Sequence, residues 1–231
     1  MAPGVSFPAE PGMPMKIEVS DSLEEVARKA LEYAQGPRIA VSGGGTFAGL
    51  FRHWLPEMKR RAQAGTPPRF FPVDERRVPF TDPQSNWKTC YEELLLPAGL
   101  EAQKVHHAVS TSQYLALLEG EFKGGPVVFD QVFLGMGEDG HTASLFPGGA
   151  YLKDRKSVVL DVVGPKPPPE RVTLGLKPLW DCKVLVAIAL GESKAPMVRR
   201  LREADMTLPI TMALAGHGNA VLLLDRAAAG N

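Results

Sequence analysis

Segments of helical and of strand periodicity alternate along most of this chain. Apolar residues recur at helical spacing over residues 23–34, after Ser22 and Glu25, which have the spacing of a capping box. A short apolar run at 38–41 then has the length and composition of a buried strand. The same patterns predict further strands at residues 70–73, 130–134, 158–163, 172–174, 184–190 and 220–224. They predict further helices near residues 47–56, 85–95, 110–122 and 194–201, and we expect Pro56 to bend or end the first of these.

This order of elements predicts an α/β fold. Strands that alternate with helices are typical of a mostly parallel sheet, so we expect a three-layer, Rossmann-like architecture with helices on both faces. We assign residues 15–231 to a single α/β domain and the proline-rich residues 1–14 to a flexible N-terminal extension. Ligands of such sheets bind beyond the carboxyl ends of the strands. Polar or glycine-rich segments follow four of the predicted strands, at residues 42–46, 74–77, 135–142 and 191–194.

Composition and charge narrow the function classes. The chain has 231 residues, 44% of them hydrophobic, and its 26 Lys and Arg balance 26 Asp and Glu, which gives zero formal charge. A zero net charge argues against non-specific binding to nucleic acid or to an anionic membrane. No apolar run reaches the roughly 18 residues of a membrane span, and the N-terminus lacks the features of a signal peptide. Cys90 and Cys182 are too few for a disulfide framework, so we expect a cytoplasmic protein.

Residues 42–46, Ser-Gly-Gly-Gly-Thr, are the first candidate for ligand binding. Glycines between a strand and a helix allow a tight turn that leaves backbone N–H groups unhindered at the positive end of the helix dipole. An anion or a developing oxyanion is favoured at such a place. The spacing fits neither a dinucleotide-binding nor a P-loop pattern, and a plain turn between strand and helix is the alternative.

A run of four charges, Asp74-Glu75-Arg76-Arg77, follows the predicted strand at 70–73. Such runs are usually solvated. The first charge here leaves an apolar strand directly, so its carboxylate can be partly desolvated. Asp74 is therefore a candidate for the site, with a solvated strand end as the alternative.

The segment 137–144 has the highest density of reactive side chains. It reads Gly-Glu-Asp-Gly-His-Thr-Ala-Ser, with His141 among glycines and two acids. A histidine on such a loop can reach a ligand and titrates near physiological pH, which suits a general acid or base. A structural histidine is the alternative. The small residues that follow suit the start of a helix, with Thr142 as its cap.

Two further cations are placed where a phosphate could be bound. Arg171 follows a stiff proline-rich turn at 164–169, and Lys194 begins a helix after a strand. An arginine fork and a lysine point charge at one sheet edge can hold phosphate, and ordinary surface positions are the alternative. No metal is expected, because the sequence has neither HExxH nor CxxC. A Ser-His-Asp hydrolase is weakly supported, since no GxSxG segment is present.

Together these segments resemble the 6-phosphogluconolactonase family, within the superfamily that also includes glucosamine-6-phosphate deaminase and ribose-5-phosphate isomerase. The resemblance covers residues 17–228. Its most specific parts are Asp74-Glu-Arg-Arg-Val-Pro79 with Ser85-Asn86, and residues 133–147, which read Phe-Leu-Gly-Met-Gly-Glu-Asp-Gly-His-Thr-Ala-Ser-Leu-Phe-Pro. The second of these and Ser85-Asn86 favour the lactonase branch over the deaminases.

The resemblance implies a cofactor-free hydrolase that opens 6-phospho-D-glucono-1,5-lactone in the oxidative pentose phosphate pathway. It implies that His141 is the general base on water and that Arg171 and Lys194 bind the phosphate. It also implies that residues 42–46, namely Ser42, Gly43, Gly44, Gly45 and Thr46, form part of the substrate cradle. We expect a monomer with a small sugar phosphate as its ligand, and no nucleic-acid or membrane partner.

The remaining site residues follow from the same resemblance. Asp74 and Arg77 would lie in the substrate pocket. His141 would also protonate the departing ring oxygen, and N–H groups of the glycine loop would stabilise the oxyanion. Either Asp74 or Glu138 would orient the imidazole or hold a sugar hydroxyl, and the sequence leaves the choice between them open.

The sequence departs from the family pattern at one position. Related chains often carry serine at the position of Gly45, so a hydroxyl contact expected there is absent. The sequence does not decide which groups of the loop donate hydrogen bonds to the substrate.

The nearest rival function is that of a glucosamine-6-phosphate deaminase or an aldose–ketose isomerase, which moves a proton at C2 with a carboxylate such as Asp74. The second rival is a sugar-phosphate sensor without turnover. Such sensors usually carry a basic DNA-binding segment, and we expect none here, because neither end of this sequence has the room or the basic charge for one.

Overall fold

Nine strands form two sheets in the computed structural model, which describes residues 15–230. The predicted extension at residues 1–14 lies outside the described residues. Numbered in chain order, the strands are β1 Met15–Ser20, β2 Arg38–Val41, β3 Arg69–Pro72, β4 Asp74–Arg76, β5 Gln131–Gly135, β6 Val159–Val163, β7 Glu170–Leu174, β8 Val184–Ala189 and β9 Ala220–Asp225. Six of them make a parallel sheet in the order β1-β9-β8-β5-β2-β3, and the other three make an antiparallel sheet in the order β4-β7-β6.

Helices cover both faces of the parallel sheet. The α-helices are α1 Leu23–Tyr33, α2 Gly44–Gln63, α3 Asn86–Cys90, α4 Thr111–Phe122, α5 Leu176–Asp181, α6 Ala195–Arg202, α7 Pro209–Ala215 and α8 Arg226–Ala229. Side chains of each strand alternate between two hydrophobic cores, as the period of two requires. On β9, for example, Leu222 belongs to the core with Leu185 and Leu201, whereas Leu223 belongs to the core with Trp54. The predicted three-layer α/β architecture is confirmed.

The sequence-predicted helix starts are mostly confirmed, with one correction at a proline. Ser22, Ser85 and Ser110 each accept a hydrogen bond from the backbone N–H three residues later, and so cap α1, α3 and α4. We predicted that Pro56 bends or ends α2, but the helix continues through it to Gln63. Buried residues of its apolar face, such as Trp54 and Met58 on either side of the proline, hold α2 against the sheet.

The order of the parallel strands places a crevice between β2 and β5. From β2 the chain moves outward to β3 at one edge, whereas from β5 it moves through β8 to β9 in the opposite direction. At such a reversal the two neighbouring loops part and leave space beyond the carboxyl ends of the strands. The loops that follow β2 and β5 are the glycine loop at 42–46 and the turn that carries His141. No helix within residues 15–230 is both long and apolar enough to cross a membrane.

Candidate active site

An open cavity of about 260 Å³ lies at this crevice, between the ends of β2, β5 and β8 and the antiparallel sheet. Most of the site residues predicted from the sequence line it: Ser42, Gly43, Gly44, Gly45, Thr46, Asp74, His141, Arg171 and Lys194. Two predicted residues, Arg77 and Glu138, are absent from the lining. The structure therefore brings together residues that are up to about 150 positions apart in the chain, as the shared strand ends predict.

The glycine loop presents backbone donors to the cavity. The hydroxyl of Ser42 accepts a hydrogen bond from the N–H of Gly135 at 3.2 Å, which ties the loop to the end of β5. Helix α2 begins at Gly44 with no side-chain cap, so its first N–H groups keep their hydrogen-bonding capacity. Gly44 has φ of 85°, and apart from the adjoining backbone no atom of residues 15–230 lies within 4 Å of the place where a Cβ would stand on Gly44 or Gly45. An anion can therefore approach this positive helix end closely.

His141 lies at the end of a tight turn, residues 137–141, which we call the histidine turn. The N–H of Gly137 donates to the carbonyl of His141 at 2.8 Å, and Thr142 Oγ1 donates to the carbonyl of Gly135 at 2.8 Å. A Cβ on Gly137 would lie 2.0 Å from the imidazole Nδ1, so the turn needs glycine there. We predicted a helix capped by Thr142 after this turn, but a second turn follows, closed by a bridge between Thr142 and Leu145.

The imidazole of His141 has a carboxylate partner. Its Nδ1 lies 2.5 Å from Oδ1 of Asp139, which also accepts from the His141 backbone N–H at 3.1 Å. Burial acts to raise the pKa of Asp139, but the hydrogen bonds from His141 outweigh it, so this pKa lies below its usual value. With Nδ1 engaged, Nε2 is the ring nitrogen left for a ligand in the cavity, and about a third of the side chain is exposed.

This contact corrects the expectation that Asp74 or Glu138 orients the imidazole. In the part of the chain that the structure describes, the carboxylate bonded to His141 is Asp139. Glu138 occupies the exposed tip of the histidine turn, because the bond from the Gly140 N–H to the Gly137 carbonyl folds the intervening residues outward. Asp139 belongs to the sequence motif at 137–144, but we predicted its neighbour Glu138 for this role.

The antiparallel sheet supplies a wall with two arginines. β4 pairs with β7 so that Arg76 stands directly opposite Arg171, and both line the cavity. Side chains alternate along β4, so Asp74 and Arg76 share the cavity face whereas Glu75 and Arg77 point to the other. Arg77 accordingly forms an ion pair with Asp161, away from the cavity. Arg77 was predicted for the pocket and Arg76 was missed, because the strand of the charge run and its phase were not recognised.

Arg171 is a buried cation with few partners of its own. Its side chain is 8% exposed, and its Nη2 donates to the Lys166 carbonyl at a long 3.4 Å. Its Nε is buried with no hydrogen-bond partner among the described residues. Burial lowers the pKa of Arg171, and the nearby Asp74 carboxylate opposes that shift. Like charges opposite each other in a sheet repel, so Arg76 and Arg171 favour an anion between them.

Asp74 is the buried carboxylate of the same wall. The hydroxyl of Ser144 donates to its Oδ2 at 2.6 Å, which connects the antiparallel sheet to the loop after the histidine turn. Burial raises the pKa of Asp74, and the Ser144 hydrogen bond and the charge of Arg171 act in the opposite direction. Burial thus disfavours the ionised form of Asp74, and its neighbours Ser144 and Arg171 favour it.

Glu75, on the other face of β4, holds Asn86 in place. Its buried carboxylate accepts hydrogen bonds from the backbone N–H groups of Asn86 and Trp87, both at 2.8 Å, and from the Ser85 hydroxyl at 2.9 Å. Burial raises the pKa of Glu75, and these hydrogen bonds lower it in part. Asn86 lines the cavity and donates through Nδ2 to the Asp74 carbonyl at 3.2 Å. Asn86 was not predicted as a cavity residue, although it belongs to the Ser85-Asn86 pair on which the resemblance rests in part.

Lys194 lines the cavity beyond the end of β8. It follows a turn at Gly191, whose N–H donates to the Asp225 carboxylate at 2.9 Å, and its ammonium forms no ion pair within residues 15–230. The cavity therefore combines three cations, one imidazole and a row of backbone donors. Within residues 15–230, no group of three or more His, Cys, Asp and Glu side chains is arranged so that it could hold a metal ion.

Comparison with known proteins gives this arrangement a family. A model of the family described as glucosamine-6-phosphate isomerases/6-phosphogluconolactonase matches residues 14–222. The 6-phosphogluconolactonase of Rattus norvegicus is 34% identical over 229 residues, which cover 92% of this chain and 89% of the rat protein. The 6-phosphogluconolactonase structure from Trypanosoma brucei matches with a TM-score of 0.74 at 28% identity, over 94% of this chain and 98% of that one.

One further solved structure shares this fold. The structure of a monomeric glucosamine-6-phosphate deaminase matches with a TM-score of 0.71 at 22% identity, over 94% of this chain and 99% of that one. At that identity the match shows the fold alone. The resemblance to 6-phosphogluconolactonases, inferred above from sequence motifs, is confirmed by the other matches. The chain therefore belongs to the family of glucosamine-6-phosphate isomerases and 6-phosphogluconolactonases.

Proposed function

We propose that this chain hydrolyses 6-phospho-D-glucono-1,5-lactone to 6-phosphogluconate, with His141 as the general base. The observation that carries the proposal is the combination, in one cavity, of a carboxylate-bound imidazole and cations that form no ion pair within residues 15–230. A lactone with a phosphate at the far end of its carbon chain needs both. The printed names of the rat and trypanosome relatives support the same substrate.

The cations bind the phosphate in this proposal. Arg76 and Arg171 face each other across β4 and β7, and Lys194 lines the same cavity. A dianionic phosphate removes the repulsion between the two arginines and gives the buried Arg171 Nε an acceptor. Charge-assisted hydrogen bonds contribute about 1.5–3 kcal/mol each, so two of them account for affinity in the micromolar to millimolar range.

His141 acts at the other end of the substrate. Nε2 takes a proton from water as the water oxygen forms a bond to C1, and the carbonyl electrons move onto the carbonyl oxygen. When this tetrahedral intermediate collapses, the bond between C1 and the ring oxygen breaks. The imidazolium then returns its proton to that oxygen, which leaves a hydroxyl and a carboxylic acid. Asp139 holds Nδ1 throughout and stabilises the imidazolium by its negative charge.

Backbone N–H groups of the glycine loop stabilise the oxyanion. The uncapped first turn of α2 and the open approach at Gly44 and Gly45 place donors without side-chain obstruction. One well-placed donor is worth roughly 3–4 kcal/mol in a transition state. Because Gly45 has no hydroxyl, we assign this role to the backbone.

A lactonase assay with freshly generated 6-phosphogluconolactone, corrected for spontaneous opening, tests the proposal. We expect acid release well above the spontaneous rate, saturable in substrate and competitively inhibited by 6-phosphogluconate. A rate equal to the spontaneous rate over a range of protein concentrations would overturn it.

The second candidate is a deaminase or an aldose–ketose isomerase. Asp74 favours it, since a buried carboxylate with a raised pKa in the cavity can move a proton at C2 of a sugar phosphate. Ammonia release from glucosamine 6-phosphate, measured at the same protein concentration, would support this candidate. We expect no ammonia above the background measured without protein.

A further inference from the structure

Phe146 lies behind the cavity wall, and its ring contacts two residues of the site. The ring centroids of Phe146 and His141 are 4.8 Å apart, with the two planes at 40°. The guanidinium carbon of Arg171 lies 5.5 Å from the centroid of the same phenyl ring. One buried side chain thus contacts both the imidazole and the arginine to which we assign the chemistry and the phosphate.

Little else fixes the orientation of Arg171. Its hydrogen bond to the Lys166 carbonyl is long, at 3.4 Å, and its Nε has no partner among the described residues. The charge of Asp74 acts on the Arg171 guanidinium, but no hydrogen bond joins these two side chains among the described residues. The face of an aromatic ring attracts a guanidinium, so Phe146 is a main determinant of where the fork of Arg171 lies.

Phe146 is itself firmly held. Its backbone N–H donates to the Tyr151 hydroxyl at 3.0 Å, and its carbonyl accepts from the Gly149 N–H at 3.2 Å. Across the ring lies Gly164, where a Cβ would stand 2.9 Å from the phenyl ring and 3.0 Å from the Arg171 Nε. Ring, guanidinium and backbone are therefore in close contact, and a packed contact of this kind resists displacement.

We propose that Phe146 is a positioning residue that sets the placement of His141 relative to Arg171. It would match the two groups to a lactone whose phosphate is several bonds from the reacting carbon. Phe146 does not line the cavity, so it acts through its two neighbours and not on the substrate. This inference rests on the proposed function, and it adds a residue that positions the base and the phosphate ligand together.

The test is Phe146→Leu, which removes the aromatic face but keeps an apolar side chain. We expect KM for 6-phosphogluconolactone to rise about fivefold through Arg171, and kcat to fall about fivefold through His141. With unphosphorylated gluconolactone, kcat should fall equally while KM stays within about twofold. The matched control is Phe122→Leu, since Phe122 carries the Arg38 guanidinium 5.0 Å from its ring, away from the cavity, and it should leave both constants unchanged.

A double variant separates positioning from a general loss of packing. In the Arg171→Ala background, Phe146→Leu should leave KM within about twofold and still lower kcat, because the residue through which it affects binding is gone. The same rise of KM in both backgrounds, or unchanged constants in the single variant, would overturn the inference. Phe146→Met replaces the leucine variant if the latter does not fold. Wild-type turnover is measured first: its absence overturns the proposed function as well, whereas failure of this inference appears in an active enzyme.

Discussion

The two sides of the cavity differ in where their charged groups find partners. On the histidine turn, the imidazole of His141 already has a carboxylate, Asp139, within hydrogen-bonding distance. On the antiparallel sheet, Arg171 is buried beside a second arginine, and its Nε has no hydrogen-bond partner within residues 15–230. The side to which we assign the chemistry therefore has its charged partner within the protein, whereas the side to which we assign phosphate binding would receive one from an anionic ligand. This difference predicts that substitutions on the first side change kcat and those on the second change KM.

The largest effect is expected from His141→Ala. Without the imidazole, no group takes the proton of the attacking water, so kcat should fall by roughly 10²–10⁴-fold while KM changes little. His53→Ala, on the exposed part of α2 outside the cavity, is the control and should keep wild-type kinetics. Steady-state rates corrected for spontaneous lactone opening measure both. Near-wild-type turnover of His141→Ala would remove the base assignment.

Arg171→Ala tests the opposite side. Loss of one charge-assisted contact of about 1.5–3 kcal/mol should raise KM for the phosphorylated lactone by roughly 10- to 150-fold with kcat nearly unchanged. Unphosphorylated gluconolactone should be hydrolysed equally well by wild type and variant. The control is Arg77→Ala, because Arg77 lies on the other face of the same sheet and pairs with Asp161. An equal rise of KM for both lactones would contradict phosphate binding by Arg171.

Asp139→Asn changes the partner of the imidazole while it keeps the shape of the side chain. The pKa of Asp139 is below its usual value, so the carboxylate is ionised over the whole neutral range and stabilises a protonated ring. The variant should lose about tenfold in kcat, and the acidic limb of its kcat/KM profile should move to lower pH. Glu138→Gln, one residue away and exposed, should do neither. A pH profile identical to wild type would show that Asp139 does not act on the base.

The smallest effect concerns the glycine loop. Gly44 has φ of 85°, where an L side chain is strained, so Gly44→Ala should destabilise the fold by roughly 1–2 kcal/mol and lower kcat severalfold by moving the donors of α2. Gly120→Ala is the control of opposite sign, because Gly120 lies inside α4 with open space around it and should stabilise by about 0.5–1 kcal/mol. Chemical denaturation and steady-state rates measure the pair. Equal shifts in stability would contradict the strain at Gly44.

The same comparison shows what the sequence could and could not predict. Five of the six strands of the parallel sheet were predictable, because each is an apolar run next to a helical pattern, and so was the convergence of residues 42–46, His141 and Lys194 at one edge. β1 was missed, although Met15, Ile17 and Val19 alternate with polar residues as the side chains of a strand do. The antiparallel sheet was missed as a unit, since β4 pairs with β7 from about a hundred residues away.

At two places in the site, the residue that the structure shows lies one position from the residue that was predicted. Arg76 and not Arg77 faces the cavity because of the phase of β4, and a charge run alone carries no phase. Asp139 and not Glu138 bonds His141 because of how the glycine turn closes. In both cases the sequence identified the correct segment, and the fold selected the residue within it.

A crystal structure with bound 6-phosphogluconate tests the division between the two sides most directly. We predict that its phosphate contacts Arg171, with Arg76 and Lys194 around it, and that its carboxylate lies within hydrogen-bonding distance of Nε2 of His141 and the N–H groups at the start of α2. A product bound in the reverse direction, or with its carboxylate remote from the imidazole, would contradict the account.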